Sequence, residues 1–324
     1  MTKSLTTFLE LLLFFALILT ASFLALGSSL NKAVLGGINL YVTNVLPSVF
    51  PYFFITAVLS SLRVTSRLTV KLSPLSERLF NVNGNACYAF FMSVISGYPI
   101  GAKIVSDLKI NGLLSDAESV RASAFCSTSS PTFMISVIGA ITFNSTIFGI
   151  ALFCCHLTCA ILVGIIFSFY KRKDKCISFT PIAVKNVDNV LYESVYSAVI
   201  STLVVGGLIT LFYLLTEILL SINLLTPIID LLNAVIKNET VARSIVIGFF
   251  ECTRGIKTLS AVQTAQISLP VCAFLCGFGG LSIIVQSIAY LKKAKIKTAP
   301  FLLAKALCAV LNFIVAFIVS LFIF

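Results

Sequence analysis

Charged residues are scarce in this chain: 11% of its 324 residues are Asp, Glu, Lys or Arg, whereas 58% are hydrophobic. A typical soluble domain is about 25% charged and about 45–50% apolar. A water-soluble globule of this size could not bury so much apolar surface, so soluble enzymes are excluded as a class. The net charge of +11 does not indicate a nucleic-acid module, because no long polar segment is present. The composition predicts an all-α polytopic membrane protein.

Several functional motifs are also absent. No glycine-rich phosphate loop ending in Gly-Lys-Ser/Thr occurs, so ATP use of that kind is not expected. No pairing of a nucleophile with a base suggests hydrolysis. The ten cysteines lie mostly in apolar runs, where they are typical of small helix filler. Cys155, His156 and Cys159 lack a fourth metal ligand. We therefore expect neither an enzyme nor a bound metal or cofactor.

Apolar runs predict about seven helices that cross the membrane, each needing about 20 residues. Two regions, 118–141 and 267–291, are long enough but are interrupted at Cys126–Pro131 and Cys276–Gly280. Gly, Ser and Pro are poor in helix interiors, so we interpret these two regions as discontinuous helices. The five continuous runs are 8–26, 34–62, 146–170, 194–220 and 299–324.

Two further apolar stretches are too short to cross and predict re-entrant hairpins. Asn85–Gly97 is followed by the polar segment Tyr98–Lys103, and Ser244–Phe250 is followed by Glu251–Lys257. Irregular backbone at membrane depth is tolerated only inside protein or beside water. Both turns should therefore face a cavity.

The distribution of Lys and Arg predicts the orientation of the chain. Loop 63–83 carries four, loop 171–193 carries five and loop 292–298 carries four, whereas the alternate loops carry few. Basic loops concentrate on the cytoplasmic side. The N-terminus is then cytoplasmic and the C-terminus outside. The first hairpin opens from the cytoplasm and the second from outside.

A hairpin followed by a broken helix occurs twice, which predicts inverted repeats within one membrane domain, 1–324. Inverted repeats with discontinuous helices are the architecture of secondary transporters. The alternative is a bundle whose glycine kinks only help helices to pack. The predicted organisation is an N-terminal helix at 1–33; a first repeat at 34–170, with hairpin 84–117 and broken helix 118–141; a basic cytoplasmic loop at 171–193; and a second repeat at 194–324, with hairpin 241–262 and broken helix 267–291.

Polar residues at the hairpins and breaks are the candidate substrate-binding residues, because ionisable groups inside a membrane are costly unless functional. Lys103, Arg254 and Lys257 would attract an anion, while Glu251 orients Arg254 or takes a proton. The alternative is a structural Glu251–Arg254 ion pair. Free N–H groups at the half-helix N-termini would also favour an anion. Lys305, near one end of a span, is expected to reach the interface. The candidate set is Ser96, Gly97, Tyr98, Pro99, Gly101, Lys103, Ser127, Ser129, Ser130, Pro131, Glu251, Thr253, Arg254, Gly255, Lys257, Gly279, Gly280, Ser282 and Gln286.

Four segments carry a family resemblance: Ser96–Lys103, the Ser-rich break that ends at Pro131, Glu251–Gly255 and Gly277–Ser282. Together they resemble the sporulation integral membrane protein YlbJ family, which carries a Gate or nucleoside-recognition domain. The similarity runs from about residue 35 to the C-terminus. It implies an architecture like that of concentrative nucleoside transporters, with two opposed hairpins and two broken helices. It also implies a bacterial cell membrane, and in sporulating cells the outer forespore membrane.

Family members are implicated in moving dipicolinic acid, a small aromatic dicarboxylate, towards the forespore. We therefore expect a secondary-type transporter or permease for a small anionic metabolite, with dipicolinic acid as the first choice. A nucleoside-like solute and a non-transporting sporulation scaffold remain as alternatives. The expected partners are the anionic solute and the lipid bilayer, with no nucleic acid. A coupling ion (proton or sodium) and a homo-oligomer are left open.

Overall fold

The computed structural model describes residues 27–28, 30–60, 63–174, 176–177, 189–262 and 264–324. Within these ranges the regular structure is helical, with no strand, which confirms the all-α class. Five helices there are long and apolar enough to span a membrane: Leu30–Leu59, Thr146–Phe167, Val190–Ser221, Ala265–Lys293 and Thr298–Ile323. The predicted span 8–26 lies outside the described residues. Seven crossings and re-entrant hairpins stay predictions.

We number the helices in chain order; runs of shorter helices lie between the long ones. Helix α1 contains a π-helical stretch at Tyr41–Val45, and α6 is π-helical throughout. The bounds are α1 Leu30–Leu59, α2 Arg63–Phe80, α3 Gly84–Ser96, α4 Ile100–Ile110, α5 Asp116–Phe125, α6 Thr132–Thr142, α7 Thr146–Phe167, α8 Val190–Ser221, α9 Thr226–Ile236, α10 Glu239–Phe250, α11 Cys252–Leu259, α12 Ala265–Phe278, α13 Gly280–Lys293 and α14 Thr298–Ile323.

Polar residues cap the N-termini of several short helices and so fix the points at which these helices begin. Asn83 caps α3, and Ser115 caps α5 in a reciprocal capping box with Glu118. The buried Glu118 carboxylate also accepts the backbone N–H of Asn83 at 3.0 Å, so α3 and α5 begin at one shared point. At the exposed rim Lys109 lies 2.5 Å from Asp116 and lowers the pKa of that carboxyl by hydrogen bonding.

The two largest apolar clusters of the core each combine residues from both halves of the chain. One cluster surrounds α3 and α4 and includes Ala102, Phe125 and Phe301. Another surrounds α10–α12 and includes Leu269, Leu275 and Ala316. Because Phe301 and Ala316 are both on α14, this helix passes through both clusters. The stretch of α14 between these two residues joins the two clusters.

Candidate functional site

The first hairpin, α3 and α4, packs its tip against the non-helical segment 126–130. The hydroxyls of Ser93 and Thr128 are 2.8 Å apart, and the Thr128 N–H donates to the Ser93 hydroxyl at 3.1 Å. Gly97 at the tip has φ +80°, and a Cβ there would lie 2.9 Å from the Ser130 nitrogen. Only glycine allows this close approach without strain. The tip and the first break are therefore one packed unit.

The second hairpin, α10 and α11, makes the corresponding unit with the break at Gly279. The chain is extended at Glu251, whose carboxylate caps α11 by accepting the Arg254 N–H at 2.6 Å. Gly279 and Gly280 have φ of +88° and +76° and separate α12 from α13. A Cβ on Gly280 would lie 3.0 Å from the backbone nitrogen of Cys252. The close contact between Gly280 and Cys252 is thus made by backbone atoms.

Both tips and both breaks border one cavity of about 580 Å³, its open mouth included. Helices α1 and α8 supply an apolar wall. Among the described residues that line it, Glu251 is the sole acidic side chain, and no Lys or Arg takes part. Glu251 is 1% exposed. The lining residues are Val45, Val49, Ser96, Gly97, Tyr98, Ser129, Ser130, Phe133, Val205, Ile209, Glu251, Cys252, Thr253, Cys276, Ile283 and Gln286.

The structure brings eight of the candidate residues together around this cavity and leaves eleven outside its lining. Those in the lining are Ser96, Gly97, Tyr98, Ser129, Ser130, Glu251, Thr253 and Gln286. Those outside it are Pro99, Gly101, Lys103, Ser127, Pro131, Arg254, Gly255, Lys257, Gly279, Gly280 and Ser282. The second set still includes the glycines whose close packing shapes the site.

The three cations expected to attract an anion have other surroundings. The Arg254 guanidinium pairs with the Glu217 carboxylate on α8 and lies 4.0 Å from the centre of the Tyr213 ring. It also donates to the Tyr213 carbonyl at 3.3 Å. The Lys103 ammonium donates to the Ser197 hydroxyl at 3.1 Å, and Lys257 is exposed. The ion pair of Arg254 is thus made with Glu217, and Glu251 receives the backbone N–H of Arg254.

Two buried groups lie beside the cavity: His156, for which the sequence favours a buried structural role, and Lys305, for which it predicts a position at the interface. His156 on α7 accepts the Ser129 N–H through Nε2 at 3.1 Å and so supports the first break. Lys305 on α14 is 1% exposed and donates to the Tyr98 hydroxyl at 3.0 Å. A lysine inside an apolar run was the available signal, but its nearness to the helix end suggested snorkelling. In the structure α14 is packed on that side, and the side chain stays inside.

The chain is therefore a helical membrane protein whose described part encloses one cavity between two hairpin tips. Residues 42–173 match a family model described as Gate, nucleoside recognition. The chain is also 26% identical to the "Sporulation integral membrane protein YlbJ" of Bacillus subtilis (strain 168). That alignment of 322 positions covers 90% of this chain and 78% of the relative. Both findings confirm the resemblance drawn from the motifs. No solved structure matches.

Proposed function

We propose that this chain is a secondary-type transporter whose solute site is the cavity between the two hairpin tips. The observation that carries the proposal is the shared lining: Tyr98 and Glu251 from the two tips, and Ser130 and Cys276 from the two broken helices, border one space. In transporters with inverted repeats, the solute lies between discontinuous helices near the midplane. Movement of either hairpin with its broken helix would open this space to one side.

The first choice of cargo is a small carboxylated solute, with dipicolinic acid as the leading candidate. The apolar wall that Val45, Val49, Val205 and Ile209 give the cavity suits the face of a small aromatic ring. The relative's printed name ties that protein to sporulation, which supports the same setting for this chain. Glu251 is placed to exchange a proton with a solute or with water, so we propose it as the residue that couples transport to a proton gradient.

A nucleoside-like solute is the second candidate, and one observation favours it. Gln286 lines the cavity, and neither its amide oxygen nor its amide nitrogen has a hydrogen-bond partner among the described residues. A buried amide of this kind can pair with the edge of a planar, neutral ring. The description of the matching family model, nucleoside recognition, points the same way.

Uptake into proteoliposomes tests the proposal and separates the two cargoes. We expect wild-type protein to accumulate labelled dipicolinate in preference to labelled uridine, and Glu251→Gln to lose at least about 10-fold in rate because its carboxyl can no longer exchange a proton. Lys292→Gln, which removes one exposed cation, is the matched control. Preference for uridine would select the second cargo. A well-folded wild type that moves neither solute, with or without a proton or sodium gradient, would favour the scaffold alternative.

We also propose a topology in which the N-terminus is cytoplasmic, the C-terminus is external and the two hairpins open from opposite sides. Labelling of introduced cysteines with an impermeant reagent in a cysteine-free background checks it. A cysteine in place of Lys293, in the basic loop, should react from the cytoplasmic side only. One in place of Asn144, between α6 and α7, should react from outside only.

A further inference from the structure

Lys305 is a buried cation without a carboxylate partner. Its ammonium donates to the Tyr98 hydroxyl at 3.0 Å and, more weakly, to the Ser127 carbonyl at 3.5 Å, and it lies 4.4 Å from the centre of the Tyr98 ring. Within the described residues no ion pair includes Lys305. A buried charge is costly unless it is paired. With two of its three N–H groups engaged, the ammonium retains a donor for a further acceptor.

The ammonium is outside the cavity lining but lies close to it, beside the second break. A Cβ added to Gly279 would lie 3.6 Å from Lys305 Nζ and 3.4 Å from Ile283 Cγ2. Ile283 lines the cavity, so the space left by the missing side chain of Gly279 borders both the cavity wall and the ammonium. Tyr98, which holds the ammonium, lines the cavity as well and donates its hydroxyl hydrogen to the Cys276 carbonyl at 2.9 Å.

We propose that Lys305, oriented by the Tyr98 hydroxyl, forms the subsite that binds the carboxylate of the transported solute. This inference rests on the proposed function and specifies its substrate class as small organic carboxylates. The remaining N–H of the ammonium can donate a charge-assisted hydrogen bond to a carboxylate oxygen. The Tyr98 hydroxyl, whose own hydrogen goes to the Cys276 carbonyl, accepts from the ammonium and fixes its position. The incoming anion supplies the counter-charge that the described protein does not provide.

In this subsite the solute carboxylate lies against both halves of the chain. Tyr98 belongs to the tip of the first hairpin, the Gly279 gap to the second break, and Lys305 to α14, which packs with both apolar clusters. A carboxylate bound there contacts parts that must separate when the cavity opens. Neutral solutes of the same shape gain nothing from the ammonium, so this subsite discriminates by charge.

Equilibrium binding to purified, detergent-solubilised protein tests the inference. The probes are labelled pyridine-2,6-dicarboxylate and the uncharged pyridine-2,6-dicarboxamide, which has nearly the same shape. Wild-type protein should bind the dicarboxylate more tightly. Lys305→Met should weaken dicarboxylate binding about 30-fold or more, the scale of losing one partner of a buried charge pair. Its dicarboxamide affinity should change less than about threefold, a difference that a merely structural role would not produce. Lys292→Met is the exposed control.

Each alternative outcome has a definite meaning. Unchanged dicarboxylate affinity in folded Lys305→Met overturns the subsite and leaves the transporter proposal standing. Wild-type preference for the dicarboxamide also overturns the subsite and favours the nucleoside-like cargo. Wild type that binds neither probe and shows no uptake overturns both proposals. If Lys305→Met does not fold, Tyr98→Phe provides the test. Selective weakening of dicarboxylate binding in this variant supports the subsite, whereas wild-type affinity for both probes overturns it.

Discussion

The two hairpin–break units solve the same packing problem by different chemistry. In the first, residues 126–130 form a non-helical break whose polar groups are matched by side chains, Ser93 for Thr128 and His156 for Ser129. In the second, the chain turns at Gly279 and Gly280, and the close contact there is between backbone atoms. The first break is therefore held by hydroxyl and imidazole groups in addition to its glycine contacts. The second break is held by the close approach that its glycines allow.

Glycine packing is the feature that the two units share, and disrupting it should give the largest effect. A Cβ at Gly101 would overlap the Cys126 carbonyl oxygen, and one at Gly255 would lie too close to the backbone of Gly248. Gly101→Ala and Gly255→Ala should each destabilise the protein by about 3 kcal/mol, because overpacked backbone cannot move aside. Thermal unfolding in detergent measures the loss.

Gly207→Ala is the matched control for these substitutions. Gly207 also lies in a helix, α8, but a Cβ there meets no atom within 4 Å. This change should leave stability equal or raise it by about 0.5 kcal/mol, since alanine favours helix. If Gly101→Ala behaves like Gly207→Ala, then the close contact between hairpin and break is not required for folding.

Removing a buried hydrogen-bond partner should destabilise the first unit more than the second. The expected loss of stability is smaller than that of the glycine substitutions. Ser93→Ala deprives the Thr128 hydroxyl and the Thr128 N–H of their shared partner inside a buried site. We expect a loss of about 2 kcal/mol, the usual cost of leaving such groups unsatisfied. The second unit offers the contrast: Ser260→Ala, directly after α11, removes only an exposed hydrogen bond to the Lys257 carbonyl and should cost less than about 0.5 kcal/mol. Equal losses would contradict the proposed difference between the units.

The sequence indicated where the units lie but not where their charged side chains point. Glycine, serine and proline interrupt helices wherever they cluster, so both breaks could be read from composition. The spacing of Glu251 and Arg254 also suggested one helical face. The actual partner of Arg254, Glu217, lies on another helix and is 37 residues away. No local pattern could have revealed that contact, nor the depth at which Lys305 is buried.

Substitution of Arg254 tests whether this residue has a structural role or binds the solute. The expected loss of stability is modest. Its guanidinium contacts Glu217 and Tyr213 and is absent from the cavity lining. Arg254→Gln should lower stability by about 1 kcal/mol, the upper range for a partly exposed ion pair. The affinity for dicarboxylate should stay within about twofold of wild type, because a contact outside the cavity adds no direct binding energy. Binding and thermal unfolding of the same preparation report both quantities.

Glu217→Gln is the companion test for this ion pair. It removes the same pair from the other side and should reproduce the stability loss, also without changing affinity. A strong loss of dicarboxylate affinity in Arg254→Gln alone would show that the guanidinium turns to the solute in the bound state.

Lys257 should show the smallest effect. It lies in the last turn of α11, where it is exposed, and it does not line the cavity. Salt screens exposed charges over about 8 Å at physiological ionic strength. Lys257→Gln should therefore change dicarboxylate affinity by less than about twofold. A tenfold loss that vanishes at high salt would show that Lys257 steers the anion towards the cavity from the surface. A tenfold loss that persists at high salt would mean that the second hairpin turns this ammonium inward when solute binds, so that the second hairpin, as well as α14, presents a cation to the carboxylate.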